Sequence, residues 1–319
     1  FNKPPTFYGK SSGHVKPFGE ISTDAAIKAI ADVLNVDYEP REKKYQQKSQ
    51  NIVNKYVPNR GAQFCAGCPH RATFWAIKDA LKLDGREGVL VGDIGCYAMG
   101  VGHSGFEQVK IKYSMGSSAG VASGMGKLEQ FGFEQPVLFV CGDSTFFHSA
   151  IPALINGVHY QSNMTAIILD NAATAMTGFQ PHPGTDKDAT GEPVPAVHIE
   201  SLCRSLGVRV EVTDPYDIKG TTQKLLSLLE SDQGANVLIC RRECVLISTG
   251  REKPLYKVYV DSDKCLGETC GCDRFCTKVF LCPGLVWNRD TKKVKIDEIL
   301  CSNCGVCADV CPYLAIIRE

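Results

Sequence analysis

The stretch CSNCGVCADVCP, residues 301–312, constrains this chain more than any other. Four cysteines and a proline fall at the spacing Cys-x2-Cys-x2-Cys-x3-Cys-Pro. Sixteen cysteines in 319 residues imply either a disulfide framework or metal. Secreted disulfide scaffolds are mostly small, whereas these cysteines cluster as Cys-x2-Cys pairs beside glycines, so metal is the better reading. That choice implies a reducing compartment, low in oxygen and cytoplasmic.

A second run, CLGETCGCDRFCTKVFLCPG, precedes the first and also ends in Cys-Pro. The doubled runs resemble the ligand sets of two-cluster ferredoxins, where three cysteines of one run hold one 4Fe–4S cluster and the fourth holds the other. The rule assigns Cys301, Cys304 and Cys307, with the crossing Cys282, to a downstream cluster. Cys265, Cys276 and the crossing Cys311 go to an upstream one. Its last ligand is Cys270 or Cys272, with Cys272 preferred because a glycine precedes it. Four-cysteine sites also suit zinc, but two runs ending in Cys-Pro favour iron–sulfur.

Such a module needs only a fraction of the chain. Between about residues 60 and 250, strand-like stretches (GVLVGDIGC, PVLFVCGD, MTAIILDN, VRVEV, NVLICR) alternate with helical patterns at 118–131, 147–161, 198–206 and 216–230. This alternation predicts an α/β fold: a parallel sheet with helices on both faces, followed by a ferredoxin-like α+β domain. The expected domains are an N-terminal extension and linker at 1–55, a diphosphate-binding domain at 56–252, and the cluster domain at 253–319. A capped helix is expected at STDAAIKAIADVL, and a solvated linker at REKKYQQKSQ, residues 41–50. The Pro/Gly loop at 178–198 is long enough to be functional. Lys+Arg and Asp+Glu both number 35, so no net field points to nucleic acid. Apolar stretches are of strand length, which argues against a membrane span.

The segment from Val140 to Ala173 reads as a strand ending in Gly142-Asp143, a helix, then a strand ending in Asp170-Asn171. Polar oxygens at the carboxyl ends of neighbouring parallel strands sit where such sheets bind ligands. One charged oxygen (Asp143) and one neutral oxygen (Asn171) suit Mg2+ held together with a diphosphate. Gly142 permits close backbone approach, and amides near Thr145 face the phosphates.

GDS…LDN resembles the thiamine diphosphate motif. Together, FCAGCPHRATF, GDIGCYAMG, GDSTFFHSAIPALINGV and LDNAATAMTGFQPHPG resemble the thiamine-binding part and ferredoxin tail of indolepyruvate:ferredoxin oxidoreductases. The resemblance implies Asp143, Asn171 and the Ala173 carbonyl as Mg2+ ligands. It implies Ser144, Thr145, Met176 and Gly178 as further cofactor contacts, with Met176 beneath the bent cofactor. It also implies a third, proximal 4Fe–4S cluster on Cys65, Cys68, Cys96 and Cys244, with Cys240 competing for the fourth place. His70 and His148 become candidates for substrate or proton-transfer roles, and His182 for closing the pocket. The implied reaction is oxidative decarboxylation of an aromatic 2-oxo acid to an acyl-CoA. Electrons would leave to ferredoxin, or to NAD through a flavin subunit. The family's pyrimidine-binding domain, with its activating Glu, is missing from these residues, so the expectation is a split, phenylglyoxylate-type arrangement in which another subunit supplies it. The alternative is an electron-transfer subunit whose α/β domain is only a scaffold.

Overall fold

A computed structural model describes residues 4–57, 61–231, 234–248, 253–270 and 274–319. They fall into two compact units, Phe1–Gly61 and Ala62–Glu319. In the first, α1 (Thr23–Leu34) starts where the Ser22 hydroxyl accepts from Ala25 N–H at 3.2 Å, and stops at Asn35 in the left-handed region. A second helix, α2 (Lys43–Tyr56), replaces most of the linker expected at 41–50. Lys and Gln are good helix formers, and none of the helix's side chains is buried, so local propensity rather than an apolar face accounts for it.

The second unit opens with α3 (Pro69–Asp84), which has Pro69 in its first turn, where a missing N–H costs nothing. Then come β1 (Val89–Gly92), β2 (Val109–Lys112), α4 (Ser117–Gly126) and β3 (Val137–Gly142). The short α5 (Asp143–Thr145) continues through a π-helical turn, Phe146–Ala150, into α6 (Ile151–His159). There follow β4 (Met164–Asp170), α7 (Ile199–Ser205), β5 (Arg209–Thr213), α8 (Ile218–Leu229), β6 (Ala235–Arg241) and α9 (Val245–Ser248). The six strands form one parallel sheet in the order β2-β1-β3-β4-β6-β5, flanked by helices. Its central strands β3 and β4 are continuously apolar because both of their faces are covered.

In the cysteine-rich tail, β7 (Val258–Val260) pairs antiparallel with β10 (Ile316–Arg318), and β8 (Leu285–Asn288) pairs with β9 (Lys293–Ile296). Two short helices, α10 (Phe275–Lys278) and α11 (Val306–Val310), follow cluster-run cysteines. The tail shares a hydrophobic core with the sheet domain: Ala72, Trp75 and Ala76 of α3 pack with Val258, Phe280, Val306 and Ile316. Trp75 meets Phe106, Phe275 and Phe280 edge-on, with ring centroids 4.9, 5.2 and 5.6 Å away. These edge-to-face contacts add to the burial that fixes the tail on α3. Among the described residues, no helix is long and apolar enough to cross a membrane.

Candidate active site and cysteine centres

β3 and β4 run parallel and in register, with Gly142 opposite Leu169, so their carboxyl ends finish side by side. Asp143 leaves one end and Asn171 the other. The Asp143 side chain is buried: its Oδ1 accepts from Ser144 N–H at 2.8 Å and its Oδ2 from Asn171 N–H at 3.0 Å. One end of the Asn171 amide lies 3.1 Å from the Ala173 carbonyl oxygen and 3.2 and 3.3 Å from the two Asp143 carboxylate oxygens. A rotated amide would satisfy those contacts with its NH2, but three oxygens converging at such spacing also suit a cation. Octahedral Mg2+ with ligands at about 2.1 Å puts neighbouring oxygens about 3 Å apart. The donor set and its spacing fit Mg2+. Ser144 and Thr145 are buried beside it, and the Thr174 hydroxyl donates to Ser144 Oγ at 2.9 Å.

His182, from the long Pro/Gly loop, also reaches this point. Its Nε2 lies 3.2 Å from Asp143 Oδ2, close but not aligned for a hydrogen bond, and both side chains are about 1% exposed. Nδ1 accepts from Gly184 N–H at 3.1 Å, which places the proton of the neutral ring on Nε2, facing the carboxylate. Phe147 stacks on the ring at 5.7 Å. Asp93 arrives from the end of β1 and was not singled out by the sequence pattern. It is fully buried, accepting from Tyr97 Oη, from Gly116 N–H at 3.0 Å and from the Ser118 hydroxyl at 2.8 Å. Tyr97 Oη in turn lies 2.8 Å from Thr145 Oγ1, so the network ends on the Asp143 loop. Burial raises the pKa of both Asp93 and Tyr97.

The other expected residues divide. His70 is buried between Phe64 and Tyr97, and burial lowers its pKa to about 4, so its ring is neutral at physiological pH. His148 is exposed on the π-helical turn. Met176 is 52% exposed, and Gly178 ends the turn after it with φ 119°.

The tail cysteines gather into two cavities. One is lined by Cys282, Cys301, Cys304 and Cys307, together with Cys68. The other is lined by Cys265, Cys270, Cys276 and Cys311; Cys272 lies outside the described residues. Near the sheet, Cys96 has Cys244 and Cys65 as its charge neighbours, and Cys65 also neighbours Cys68. Cys240 instead contacts Thr73. Burial pushes Cys68 up to about 12 and Cys276 and Cys304 up to about 11, so these thiols become thiolates only when iron or a nearby cation compensates the charge. Among the described residues, no three His, Cys, Asp or Glu side chains form a group that would grip a single ion.

The chain was compared with known proteins. The family model "Thiamine pyrophosphate enzyme, C-terminal TPP binding domain" matches residues 93–239, and "4Fe-4S binding domain" matches 294–317. Indolepyruvate oxidoreductase subunit IorA of Pyrococcus horikoshii is 36% identical over 321 residues, covering 94% of this chain and 47% of the relative. The same subunit of Archaeoglobus fulgidus is 36% identical over 315 residues, covering 97% and 48%. This chain therefore spans about half the length of the curated relatives it matches. A solved 2-oxoglutarate:ferredoxin oxidoreductase from Magnetococcus marinus superposes with TM-score 0.50 at 17% identity, over 60% of this chain and 67% of that one. That agreement is one of fold. By these matches the chain is a homologue of about half of an indolepyruvate oxidoreductase subunit, a thiamine pyrophosphate-binding α/β domain carrying a 4Fe–4S ferredoxin-like tail.

Proposed function

We propose that this chain is the cofactor- and cluster-bearing part of a CoA-acylating 2-oxo acid:acceptor oxidoreductase that decarboxylates an aromatic 2-oxo acid, of indolepyruvate or phenylglyoxylate type. The observation that supports it most is the convergence of Asp143, Asn171 and the Ala173 carbonyl in the same compact unit as the cysteine cavities. In this reading residues 56–252 hold the diphosphate and residues 253–319 two 4Fe–4S clusters. Cys65, Cys68, Cys96 and Cys244 hold a third cluster, between the two.

Bound thiamine diphosphate supplies an electron sink for loss of CO2 from a 2-oxo acid. The chain's own residues do the rest. Asp143 and Asn171 hold Mg2+, and amides of the Asp143 loop meet the diphosphate. His182 places its Nε2 3.2 Å from the Asp143 carboxylate and helps to close it off from water. His70, neutral and shielded by Phe64 and Tyr97, offers the substrate side an uncharged hydrogen-bonding ring. The tail cysteines would hold the 4Fe–4S clusters, which would supply the one-electron steps that carry electrons outward. The described residues build one parallel sheet, so the carboxylate that activates the aminopyrimidine comes from outside them, in a further domain or subunit. The final acceptor is ferredoxin or a flavin subunit that reduces NAD.

Acyl-CoA formation with a low-potential dye tests the substrate class in the assembled complex. Indolepyruvate or phenylglyoxylate should be turned over with a kcat/KM at least tenfold above that for 2-oxoglutarate. A preference for 2-oxoglutarate would refute the aromatic assignment.

A further inference from the structure

Arg71, on the first turns of α3, is the largest fully buried side chain among the described residues, 2% exposed. Its guanidinium donates to two carbonyls: Phe280 O at 2.9 Å and Phe64 O. Phe64 immediately precedes Cys65, and Phe280 stands two residues before Cys282. The two aromatic rings of these residues flank the guanidinium, each 5.8 Å from its centre. Nε is buried without a hydrogen-bond partner. No carboxylate pairs with Arg71 among the described residues. Arg71 lines the same cavity as Cys282, Cys301, Cys304 and Cys307 of the downstream site and Cys68 of the proximal one, and Cys65 is also within electrostatic reach.

A buried cation with no anion nearby is expensive, and solitary buried arginines do not persist. The expense disappears if the anions are the clusters. A four-thiolate 4Fe–4S centre is negative, and it becomes more negative on reduction. The two sites are also joined here by backbone. Gly67 adopts φ +69°, and a Cβ on it would fall 1.8 Å from Ser302 Oγ, between the downstream cysteines. The Tyr216 hydroxyl donates to Gly67 O, closing the same seam.

We propose that Arg71 is the shared counter-ion of the proximal and downstream clusters, a positioning residue that raises the reduction potential of both and leaves the upstream cluster untouched. This rests on the proximal-cluster reading above. The physical cause is that a fixed positive charge in a low-dielectric seam favours the more negative, reduced state of each neighbouring centre. One charge placed between two centres shifts both potentials in the same direction.

The test is an anaerobic potentiometric titration of the full chain, followed by electron paramagnetic resonance, on the unmutated protein, Arg71→Met and Arg71→Lys. Arg71→Met should shift the proximal and downstream centres at least tenfold toward their oxidised forms, 59 mV lower for a one-electron couple. The upstream centre, held by Cys265, Cys276, Cys311 and either Cys270 or Cys272, should move by less than a third of that. Arg71→Lys keeps the charge but not the two-carbonyl clamp, and should restore most of the shift. If Arg71→Met leaves all potentials unchanged with clusters intact, Arg71 is a structural clamp and the proposal fails. Failure of Arg71→Lys to assemble the downstream cluster would likewise assign the clamp, not the charge, as its role. Unmutated protein with no proximal signal would overturn the cluster reading as well as the proposal.

Discussion

Replacing Asp143 separates the cofactor site from everything else in the chain. In Asp143→Ala two buried donors, Ser144 N–H and Asn171 N–H, lose their only side-chain acceptor, now at 2.8 and 3.0 Å. Each unsatisfied buried donor costs roughly 1–3 kcal/mol, so the free protein should lose about 2–6 kcal/mol of stability. Asp143→Asn retains one acceptor oxygen and should lose about half as much, yet it removes the charge that Mg2+ requires. The two variants therefore predict different unfolding midpoints and the same binding defect. Urea unfolding monitored by fluorescence gives the first quantity. Calorimetric titration with thiamine diphosphate and Mg2+ gives the second, and iron analysis checks the tail. Cofactor binding should disappear in both variants while iron content stays at the unmutated level, because Asp143 shares no ligand with the cysteine cavities. Tight, Mg2+-dependent binding that survived in either variant would refute the assignment of the diphosphate site.

Protein purified without oxygen should carry about twelve iron and twelve sulfide atoms per chain, from three clusters. Cys96→Ser or Cys244→Ser should lower that to about eight, whereas Cys240→Ser should leave it unchanged; a loss with Cys240→Ser would exchange the fourth ligand. Trp75→Ala removes the ring on which Phe106, Phe275 and Phe280 converge. It should cost roughly 3–5 kcal/mol and increase amide exchange in the tail before the sheet; uniform exchange would show that the tail is held elsewhere. Asp93→Ala should destabilise by about 2–6 kcal/mol by orphaning the Gly116 N–H and the Ser118 hydroxyl, and Asp93→Asn by less than half of that. Equal losses in a melting assay would mean the carboxylate is not acting as the common acceptor.

The chemistry was largely legible in the linear pattern. Cysteine spacing marks clusters because a compact inorganic core needs ligands a few residues apart, and residues 301–312 carry three of them consecutively. Gly142-Asp143 and Asp170-Asn171 stand out because apolar runs of strand length end on oxygen donors. The central strands are equally plain, since a strand covered on both faces is apolar throughout. Other elements were hidden. β2 is four residues, Val-Lys-Ile-Lys, with no apolar run to announce it, and α2 is so polar that it reads as linker.

The least visible features are three buried polar side chains. Asp93 sits in an ordinary-looking strand end, His182 in a loop without regular structure, and Arg71 beside a cysteine pair. Nothing local distinguishes any of them from a solvated residue. Local spacing is therefore enough to name the ligands of a cofactor. The burial of such a side chain depends on partners distant in the chain: Phe280 for Arg71, Asp143 for His182, Ser118 for Asp93. Only the folded sheet, with the tail packed on α3, brings those partners within reach and excludes the water that would otherwise screen them.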